Sequence, residues 1–354
     1  MSEDANNILV VGPSWVGDMV MAQSLFKALH DQGSCRITVL APEWTRPLTA
    51  LMPEVAAAIS LPFAHGELRV RERRRLGREL ISRRFQRAIV LPNSYKSALI
   101  PYWARIPQRT GYRGEMRYGL LNDIRRLDRE RLTLTVQRFV ALGLPLEQQH
   151  TVPDFVPPRL TVEPAQMAQT RHRLQLATPT GRLLALCPGA EFGPAKRWPT
   201  EHFAALAQHY AAQGWTVWLL GSNHDQPLTT AITRQAPEAC IDLAGKTSLA
   251  DAIDLLSSAD TVVSNDSGLM HVATALGRHV VALYGSSSPL FTPPLGDNAT
   301  ALHLGLECSP CFKRECPLGH FRCLRELTPS QVTAAIDRSN GFRPSPVPPI
   351  SRQP

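Results

Sequence analysis

Residues 8–18 read ILVVGPSWVGD, an apolar strand followed by a loop between two glycines and then a carboxylate. The spacing of Gly12 and Gly17 matches the start of a nucleotide P-loop, which continues with Lys and Ser or Thr to meet phosphates and magnesium. Asp18 and Met19 stand in those places here. Because a carboxylate repels a polyphosphate, the loop is better suited to holding a base against a substrate hydroxyl.

Asp18 also suits the first turn of a helix that we expect to begin near Met19, where a carboxylate accepts free backbone N–H groups. A carboxylate at a helix terminus is expected to have a low pKa. Capping alone does not explain Gly17, whose missing side chain leaves space for a ligand beside the backbone. The two roles of Asp18 are compatible.

The chain has 354 residues, about twice the length of a typical single domain. Its 44% hydrophobic and 19% charged residues are typical of a globular protein. Residues 1–7 lack the basic start and apolar stretch of a signal peptide, and no apolar run approaches about 18 residues. These features predict a two-domain protein of the cytoplasm.

Apolar strands alternate with helical stretches, which predicts an α/β fold with two parallel sheets. A proline-rich stretch at 151–158 interrupts the alternation and is the predicted linker. Strands are predicted at 8–11, 36–40, 88–91, 183–187, 215–220, 261–264 and 279–283. The expected division is a first domain over 1–155, a second over 156–335, and a flexible proline-rich tail over 336–354.

Loops after the second-half strands carry small and charged residues, at the edge where open parallel sheets bind ligands. Gly189 and Gly193 let backbone amides face a ligand, and Lys196 supplies a mobile charge for phosphate. Ser267 and Gly268 stand at a helix N-terminus, where unpaired N–H groups and the helix dipole favour an anion. Together these loops predict a pyrophosphate site.

Ordinary structural roles also fit several of these residues taken singly. Lys196 is consistent with a surface charge, Asp266 with an N-cap and His271 with a packed helix histidine. The loop at 221–225 and the turn at Thr247 are weaker candidates for a nucleoside pocket.

The net charge of +8 suggests an acidic partner. Nine arginines crowd residues 69–87, with Leu76, Leu80, Ile81 and Phe85 at helical spacing among them. This pattern predicts an amphipathic helix whose apolar face lies on the domain and whose guanidinium face points outward. A solvated face is the usual outcome for a charge run, but arginine without lysine favours phosphate or carboxylate recognition. Little aromatic interleaving accompanies it, so no nucleic acid partner is expected.

Five motifs in order along the chain closely resemble the lipopolysaccharide heptosyltransferases of glycosyltransferase family 9. They are GPSWVGD at 12–18, PNSYKS at 92–97, RTGYRGEMRYG at 109–119, PGAEFGPAKRWP at 188–199 and NDSGLMH at 265–271. The resemblance implies a GT-B fold, with two Rossmann-like domains facing across a cleft, the acceptor on the first and ADP-heptose on the second. It also implies inverting transfer of L-glycero-D-manno-heptose to the first heptose of the Kdo-lipid A inner core, by a protein peripheral on the cytoplasmic face of the inner membrane.

The same resemblance assigns roles by motif position. Asp18 would be the general base and Lys196 would neutralise the departing diphosphate, while Asp266 would contact the donor sugar. The implied donor-binding set is Gly189, Ala190, Lys196, Thr247, Asp266, Ser267, Gly268, Leu269, Met270 and His271. For the anionic acceptor heptosyl-Kdo2-lipid A, the candidates are Arg73, Arg74, Arg75, Arg109, Arg113 and Arg117. An inverting displacement needs one base and no protein nucleophile, and a lysine with a helix N-terminus can stabilise the leaving group.

Neither a catalytic metal nor another cofactor is expected, because no Asp-x-Asp motif occurs in the chain. Four cysteines, Cys308, Cys311, Cys316 and Cys323, nevertheless lie close together in the sequence. The first pair has metal-ligand spacing and the second pair does not repeat it, which leaves a structural zinc open. Disulfides are not expected in a reducing compartment.

Other functions compete with this interpretation. A heptosyltransferase of a different step, I or III, would differ in its acceptor, and a GT-B nucleotide-sugar epimerase would share the donor cleft but release ADP without an acceptor. A dehydrogenase is disfavoured because no Gly-x-Gly-x-x-Gly follows a strand. A non-catalytic envelope-surface binder would need only the arginine-rich segment, and the presence of Asp18, Lys196 and Asp266 together argues against it.

Overall fold

The computed structural model describes residues 6–63, 66–148 and 150–340. Its strands are β1 (Asn6–Val11), β2 (Cys35–Pro42), β3 (Val55–Leu61), β4 (Arg87–Val90), β5 (Gln108–Tyr112), β6 (Asp123–Arg125), β7 (Leu183–Cys187), β8 (Thr216–Leu219), β9 (Ile241–Asp242), β10 (Thr261–Asn265), β11 (His279–Leu283) and β12 (Ala299–Leu302). Its α-helices are α1 (Val16–Asp31), α2 (Arg46–Ala50), α3 (Val70–Glu79), α4 (Leu99–Trp103), α5 (Thr135–Gly143), α6 (Pro164–Arg173), α7 (Thr200–Ala211), α8 (Gln226–Gln235), α9 (Leu249–Ser257), α10 (Gly268–Ala275), α11 (Arg322–Arg325) and α12 (Pro329–Asn340).

Each half of the chain forms a six-stranded parallel sheet. The first has the order β3-β2-β1-β4-β5-β6 and the second β12-β11-β10-β7-β8-β9. Numbered within its own half, and with the second sheet read from β9 to β12, each sheet runs 3-2-1-4-5-6. This is the order of the dinucleotide-binding fold. The strand order therefore reverses between β1 and β4 and between β7 and β10, and the loops after these strands are where a ligand is expected.

The seven strands predicted from the sequence are all present, with ends displaced by no more than two residues. Their side chains are almost all buried, because helices cover both faces of each sheet. The prediction of an α/β fold with two parallel sheets is confirmed.

Helix α1 joins the two halves. It packs against α5 on one face of the first sheet and also against α10 of the second half, so the apolar cluster around it continues from one sheet to the other. Helices α3 and α4 pack against each other beside a separate cluster on the other face of the first sheet. In the second half, α7 and α12 cover the face turned away from α10.

The predicted linker runs along α1. The Gln23 amide and the Arg159 backbone exchange two hydrogen bonds of 2.9 and 2.8 Å, and Ser24 Oγ donates to the carbonyl of Val156 at 2.8 Å. Lys27 Nζ donates to the carbonyl of Pro157 at 2.7 Å. These bonds hold the linker on the helix, and the boundary at residue 155 stays a prediction.

The tail predicted to begin at residue 336 is wrong in its first residues. Helix α12 continues to Asn340, and Val332 and Ile336 are fully buried against the second sheet. Their spacing of four residues places both on one face of the helix. The proline-rich residues 341–354 lie outside the described residues.

The helix predicted across residues 69–87 is also shorter than expected. Helix α3 ends at Glu79, and Arg84 adopts a left-handed φ of 52° before β4 begins. The chain reverses there because β4 has to pair with β1 and β5. This strand pairing outweighs the helix propensity of the segment. Leu80 and Phe85 are buried as predicted, whereas Ile81 is 40% exposed.

Among the helices of the described residues, none combines the length and the apolar character that a membrane span requires.

Candidate active site

A cleft of about 640 Å³ is lined by loops of both halves, a size suited to a small organic ligand. The first half contributes Ser14, Trp15, Val16, Gly17 and Trp44. The second half contributes, among others, Gly189, Ala190, Leu220, Ser222, Asp225, Thr247, Leu249, Ser267, Gly268 and Leu269. The loops after β1, β7 and β10 therefore meet in one place, as their positions at the strand-order reversals predict.

Two glycines allow α1 and α10 to approach closely beside this cleft. A Cβ at Gly17 would lie 2.6 Å from Cδ2 of His271, and one at Gly268 would lie 2.7 Å from Cβ of Val16. The space that the sequence suggests for a ligand at Gly17 is thus occupied by His271. This contact brings the first turn of α1, with Asp18, next to charged residues of the second half.

Asp18 lies in the first turn of α1 but is not its N-cap. The helix begins at Val16, and Trp15 is the N-cap residue. Burial raises the pKa of the Asp18 carboxyl to about 6, although Lys196 lowers it and Asp266 raises it further. The low pKa expected from the helix terminus is wrong because desolvation outweighs the favourable charges. A carboxylate with this pKa is ionised at neutral pH and suited to general-base work.

Lys196 and Asp266 form a charge pair next to Asp18. Lys196 Nζ donates to Oδ2 of Asp266 at 2.5 Å, and the Asp266 side chain is buried. The same ammonium lies 5.2 Å from the centre of the Phe192 ring. Asp266 is therefore the buried partner of a half-buried lysine and not a helix cap, since the N-cap of α10 is Ser267. Asp18, Lys196 and Asp266 are not themselves among the residues that line the cleft, but Asp18 follows the lining residue Gly17 and Asp266 precedes the lining residue Ser267.

The N-terminus of α10 faces the cleft through Ser267, Gly268 and Leu269. The Ser267 side chain makes no capping bond, and the first N–H groups of a helix lack partners within it. Asn265 fixes this end of the helix to the loop after β7, because its amide accepts from the Trp198 backbone at 3.0 Å and donates to the Pro188 carbonyl at 2.8 Å. The arrangement suits a diphosphate beside Lys196.

Met270 and His271 lie behind the cleft wall and do not line the cleft. Met270 is fully buried in the apolar cluster. Burial lowers the pKa of His271 to about 4, so its imidazole is neutral at physiological pH, and its Nδ1 has no hydrogen-bond partner among the described residues. The location of His271 therefore agrees with the interpretation as a packed helix histidine and not with a contact to a ligand in the cleft.

Asp225 supports the wall of the cleft that the second half forms, a role that its position in the sequence does not indicate. Its carboxylate accepts hydrogen bonds from the backbone N–H of Ser222 at 2.9 Å and from the Ser222 hydroxyl at 2.8 Å. A Cβ at Gly189 would lie 2.5 Å from this carboxylate, so the glycine lets the loops after β7 and β8 pack together. The buried, hydrogen-bonded aspartate is a signal that the sequence alone does not give.

Two tryptophans at the cleft are also absent from the sequence-derived set. Trp15 is 44% exposed and Trp44 is 46% exposed, although both line the cleft. The Trp44 indole N–H donates to the carbonyl of Ser14 at 3.1 Å, which ties the loops after β1 and β2 together. Exposed tryptophans just after the carboxyl ends of strands are the signal that would have identified them.

The turn that carries Lys196 is supported by the cysteine-containing segment. Gly193 has a φ of 153°, and a Cβ there would lie 2.5 Å from the carbonyl oxygen of Arg314. The backbone N–H of Ala195 donates to the same carbonyl at 3.0 Å. The segment thus supports the turn that carries Lys196.

The cysteines themselves are free thiols. Over residues 6–63, 66–148 and 150–340, no group of three or more His, Cys, Asp or Glu side chains is arranged to hold a metal ion. A structural zinc at Cys308, Cys311, Cys316 and Cys323 is therefore not supported by the arrangement of these side chains.

Two of the six arginines expected to bind the acceptor are instead structural. The buried Arg73 guanidinium donates to the carbonyls of Leu68 and Glu67. The buried Arg117 guanidinium donates to the carbonyl of Pro92 at 2.7 Å. Backbone carbonyls compensate these guanidinium groups for the loss of water, so neither side chain is available to an acceptor.

The other four arginines lie on different parts of the first half. Arg113 is exposed directly after β5, at the carboxyl edge of the sheet. Arg75 is exposed on α3 and lies 3.7 Å from Glu79. Arg74 and Arg109 line a second pocket, separate from the cleft. The expected single acceptor surface is therefore divided among several places.

Known proteins share this architecture. A sequence model described as "Glycosyltransferase family 9 (heptosyltransferase)" matches residues 73–322. The chain is 46% identical over 339 residues to lipopolysaccharide heptosyltransferase 2 of Escherichia coli K12, covering 93% of this chain and 97% of the relative. It is 48% identical over 345 residues to lipooligosaccharide heptosyltransferase 2 of Haemophilus influenzae, covering 94% and 98%.

The solved structure of E. coli ADP-heptose LPS heptosyltransferase II matches with a TM-score of 0.84 at 44% identity, covering 94% of this chain and 98% of that one. The predicted GT-B fold is thereby confirmed, and the dehydrogenase and non-catalytic binder are set aside. The chain belongs to glycosyltransferase family 9, the heptosyltransferases.

Proposed function

We propose that the protein transfers L-glycero-D-manno-heptose from ADP-heptose to the first heptose of heptosyl-Kdo2-lipid A. The observation that carries the proposal is the placement of Asp18, from one sheet, beside Lys196 and the α10 N-terminus, from the other. Relatives named heptosyltransferase 2 that align along almost the whole chain support this step over step I or III.

The donor is assigned to the second half of the cleft. Leu220 and Leu249 offer apolar surface for a base, and Thr247, two residues before Leu249, also lines the cleft. The diphosphate would meet the amides of Gly268 and Leu269 at the helix N-terminus, where unpaired N–H groups favour an anion. The sugar would then lie toward the first half, where Asp18 is located.

The proposed reaction is a single displacement. The acceptor hydroxyl oxygen forms a bond to the anomeric carbon while the bond from that carbon to the diphosphate oxygen breaks. The hydroxyl proton passes to the Asp18 carboxylate, and ADP leaves with the bonding electron pair. Lys196 and the α10 amides stabilise the charge that develops on the leaving oxygen. Attack from the face opposite the leaving group inverts the anomeric centre.

For the acceptor, the proposal keeps Arg113 as a candidate for binding a phosphate or carboxylate. This arginine is exposed and follows β5, so it lies at the same sheet edge as the loop that carries Asp18. A guanidinium group there suits the anionic sugars of the inner core. We place the reaction at the cytoplasmic face of the inner membrane, where such a lipid acceptor would be presented.

An assay with purified protein, ADP-heptose and three acceptors tests the proposal. Acceptors with no, one or two heptoses on Kdo2-lipid A separate the three steps, with ADP release and product mass as readouts. We expect transfer only to the acceptor with one heptose. Transfer to the heptose-free acceptor would indicate step I, and ADP release without any acceptor would indicate an epimerase.

A further inference from the structure

A second pocket, of about 520 Å³, opens beside α3 and α4. Four of its lining side chains are arginines, Arg74, Arg78, Arg105 and Arg109, and Ile81 and Tyr102 line it with them. No acidic side chain is among the lining residues in the described part of the chain. The pocket therefore concentrates positive charge next to exposed apolar groups.

Close packing of α3 and α4 builds this pocket. A Cβ at Gly77 would lie 2.7 Å from Cβ of Trp103 and 2.9 Å from the carbonyl oxygen of Ile100, so the two helices touch there. Arg74 and Arg78 flank this glycine on α3 and are thereby held beside the end of α4. This packing fixes where the backbone of α3 presents the exposed side chains of Arg74 and Arg78.

Arg105 and Arg109 come from the chain that leads into β5. Arg105 has a left-handed φ of 53°. Arg109 is anchored, since its Nε donates to the Leu120 carbonyl at 2.6 Å and its Nη1 to the Ile106 carbonyl at 2.5 Å. These bonds use two of the five N–H donors of Arg109, and the other three, on Nη1 and Nη2, are left for a ligand.

The remaining arginines of the pocket lack partners. Within the described residues, the guanidinium groups of Arg74, Arg78 and Arg105 make no hydrogen bond or ion pair, whereas Glu79 lies 3.7 Å from Arg75. These three guanidinium groups are exposed to solvent, and together with the anchored Arg109 they form a cluster of like charge that an anion would stabilise. A phosphate, which accepts bidentate hydrogen bonds from arginine, matches this charge.

The pocket is separate from the catalytic cleft. Arg109 lies at the amino end of β5, whereas Asp18 follows the carboxyl end of β1, and the paired register of β1, β4 and β5 sets these at opposite edges of the sheet. Helices α3 and α4 also lie on the face of the sheet opposite α1. An anion in this pocket therefore does not occupy the site of transfer.

The apolar rim indicates the source of the phosphate. Ile81 is 40% exposed and Tyr102 is 44% exposed. Exposed aromatic and aliphatic side chains beside a basic cluster are typical of surfaces that lie at a membrane interface. We propose that this pocket docks the protein on an anionic phospholipid surface, with one lipid phosphate held among the four arginines.

Vesicle binding without donor or acceptor tests this docking. The pocket variant combines Arg74→Gln, Arg78→Gln and Arg105→Gln. The control combines Arg71→Gln, Arg75→Gln and Arg83→Gln, which removes equal charge from exposed positions outside the pocket. Sedimentation with vesicles of phosphatidylcholine and phosphatidylglycerol should show binding weakened at least tenfold in the pocket variant and less than threefold in the control. Circular dichroism verifies that both fold.

Equal losses of vesicle binding in the two variants would show a diffuse charge effect and overturn the proposal. Unchanged vesicle binding in the pocket variant would also overturn it. Displacement of the wild type by glycerol phosphate at the concentration of the lipid phosphate would show a site for free phosphate instead. Turnover of a deacylated acceptor should stay within twofold in the pocket variant, and a parallel fall would assign the pocket to acceptor phosphates. Because vesicle binding needs no transfer, its failure is distinguishable from failure of the proposed reaction.

Discussion

The two sheets share one strand order and differ in the charge at their carboxyl edges. In the first half, the loop after β1 leads to the Asp18 carboxylate and the exposed Trp15. In the second, the loops after β7 and β10 carry Lys196 and the free end of α10. The same topology thus holds the proposed base on one side of the cleft and the proposed anion site on the other.

Strand order therefore determines where a ligand binds, whereas a few loop residues determine which chemistry takes place there. Gly17 and Gly268 determine how close α1, with Asp18, lies to α10, because any larger side chain at either position would separate the two helices. Because the two sides of the cleft have different proposed roles, we expect variants on one side to lose turnover and variants on the other to lose donor binding as well.

The largest effect is expected for Asp18→Asn. The amide preserves the shape of the side chain but cannot accept the proton, so turnover should fall by about 10²–10⁴-fold. Steady-state and single-turnover rates with saturating ADP-heptose measure this. Near-normal turnover with a normal fold would mean that the base lies elsewhere.

Lys196→Ala should cost about 10- to 10³-fold in kcat/KM, with both kcat and KM affected. The diphosphate is charged in the bound donor and gains charge as it leaves, so the ammonium acts in both states. The variant also leaves Asp266 buried without its partner, which thermal unfolding should register as lost stability. Lys196→Arg serves as the control that retains the charge. A change in kcat alone would contradict the role in donor binding.

Gly193→Ala should lower kcat/KM by about tenfold and stability by about 1–3 kcal/mol, because its φ is unfavourable for alanine and its Cβ meets the Arg314 carbonyl. The matched control is Gly214→Ala, at φ 78° with no atom within 4 Å of the added Cβ. The control should lose stability but not activity. Equal activity losses in both would contradict a role for the Arg314 contact in placing Lys196.

The raised pKa of Asp18 predicts two pH effects. Transfer should decline as pH falls below about 6, because the protonated carboxyl accepts no proton. The folded state binds more protons than the unfolded state between pH 3.8 and about 6, so this group favours folding at low pH and that contribution is lost as pH rises. Above pH 6, Asp18→Asn should therefore be more stable than the wild type, by up to roughly 3 kcal/mol. His271 titrates in the opposite sense, so the difference between the two proteins is the quantity to measure.

The smallest expected effect is that of EDTA. Lys196 and the α10 amides supply the positive charge for the diphosphate, so transfer should continue after chelation. A loss restored specifically by magnesium or manganese would contradict this account, whereas a slow loss accompanied by unfolding would return attention to the cysteine segment.

Local sequence was enough for seven of the strands and for the glycine loops that follow them, but it missed the apolar strand β3, which reads VAAAISL, and the short strand β12. The short or polar strands β5, β6 and β9 carry no such pattern, since pairing with a neighbour and not composition makes them strands. The loops of the cleft were identified because each directly follows a recognisable strand.

Side-chain roles were harder to predict because they depend on partners distant in sequence. The pKa of Asp18 is set by burial against the second half, and the roles of Arg73 and Arg117 by carbonyls of the surrounding loops. Asp225 and Trp44 gain their place in the cleft only through tertiary packing.

Calorimetry with ADP on the wild type, Asp18→Asn and Lys196→Ala tests the division between the two sheets most directly. Because ADP is proposed to bind the second half, Asp18→Asn should bind it with the affinity of the wild type or more tightly, since a nearby negative charge is removed. Lys196→Ala should bind it at least about tenfold more weakly. Loss of ADP affinity in Asp18→Asn equal to that in Lys196→Ala would contradict the account.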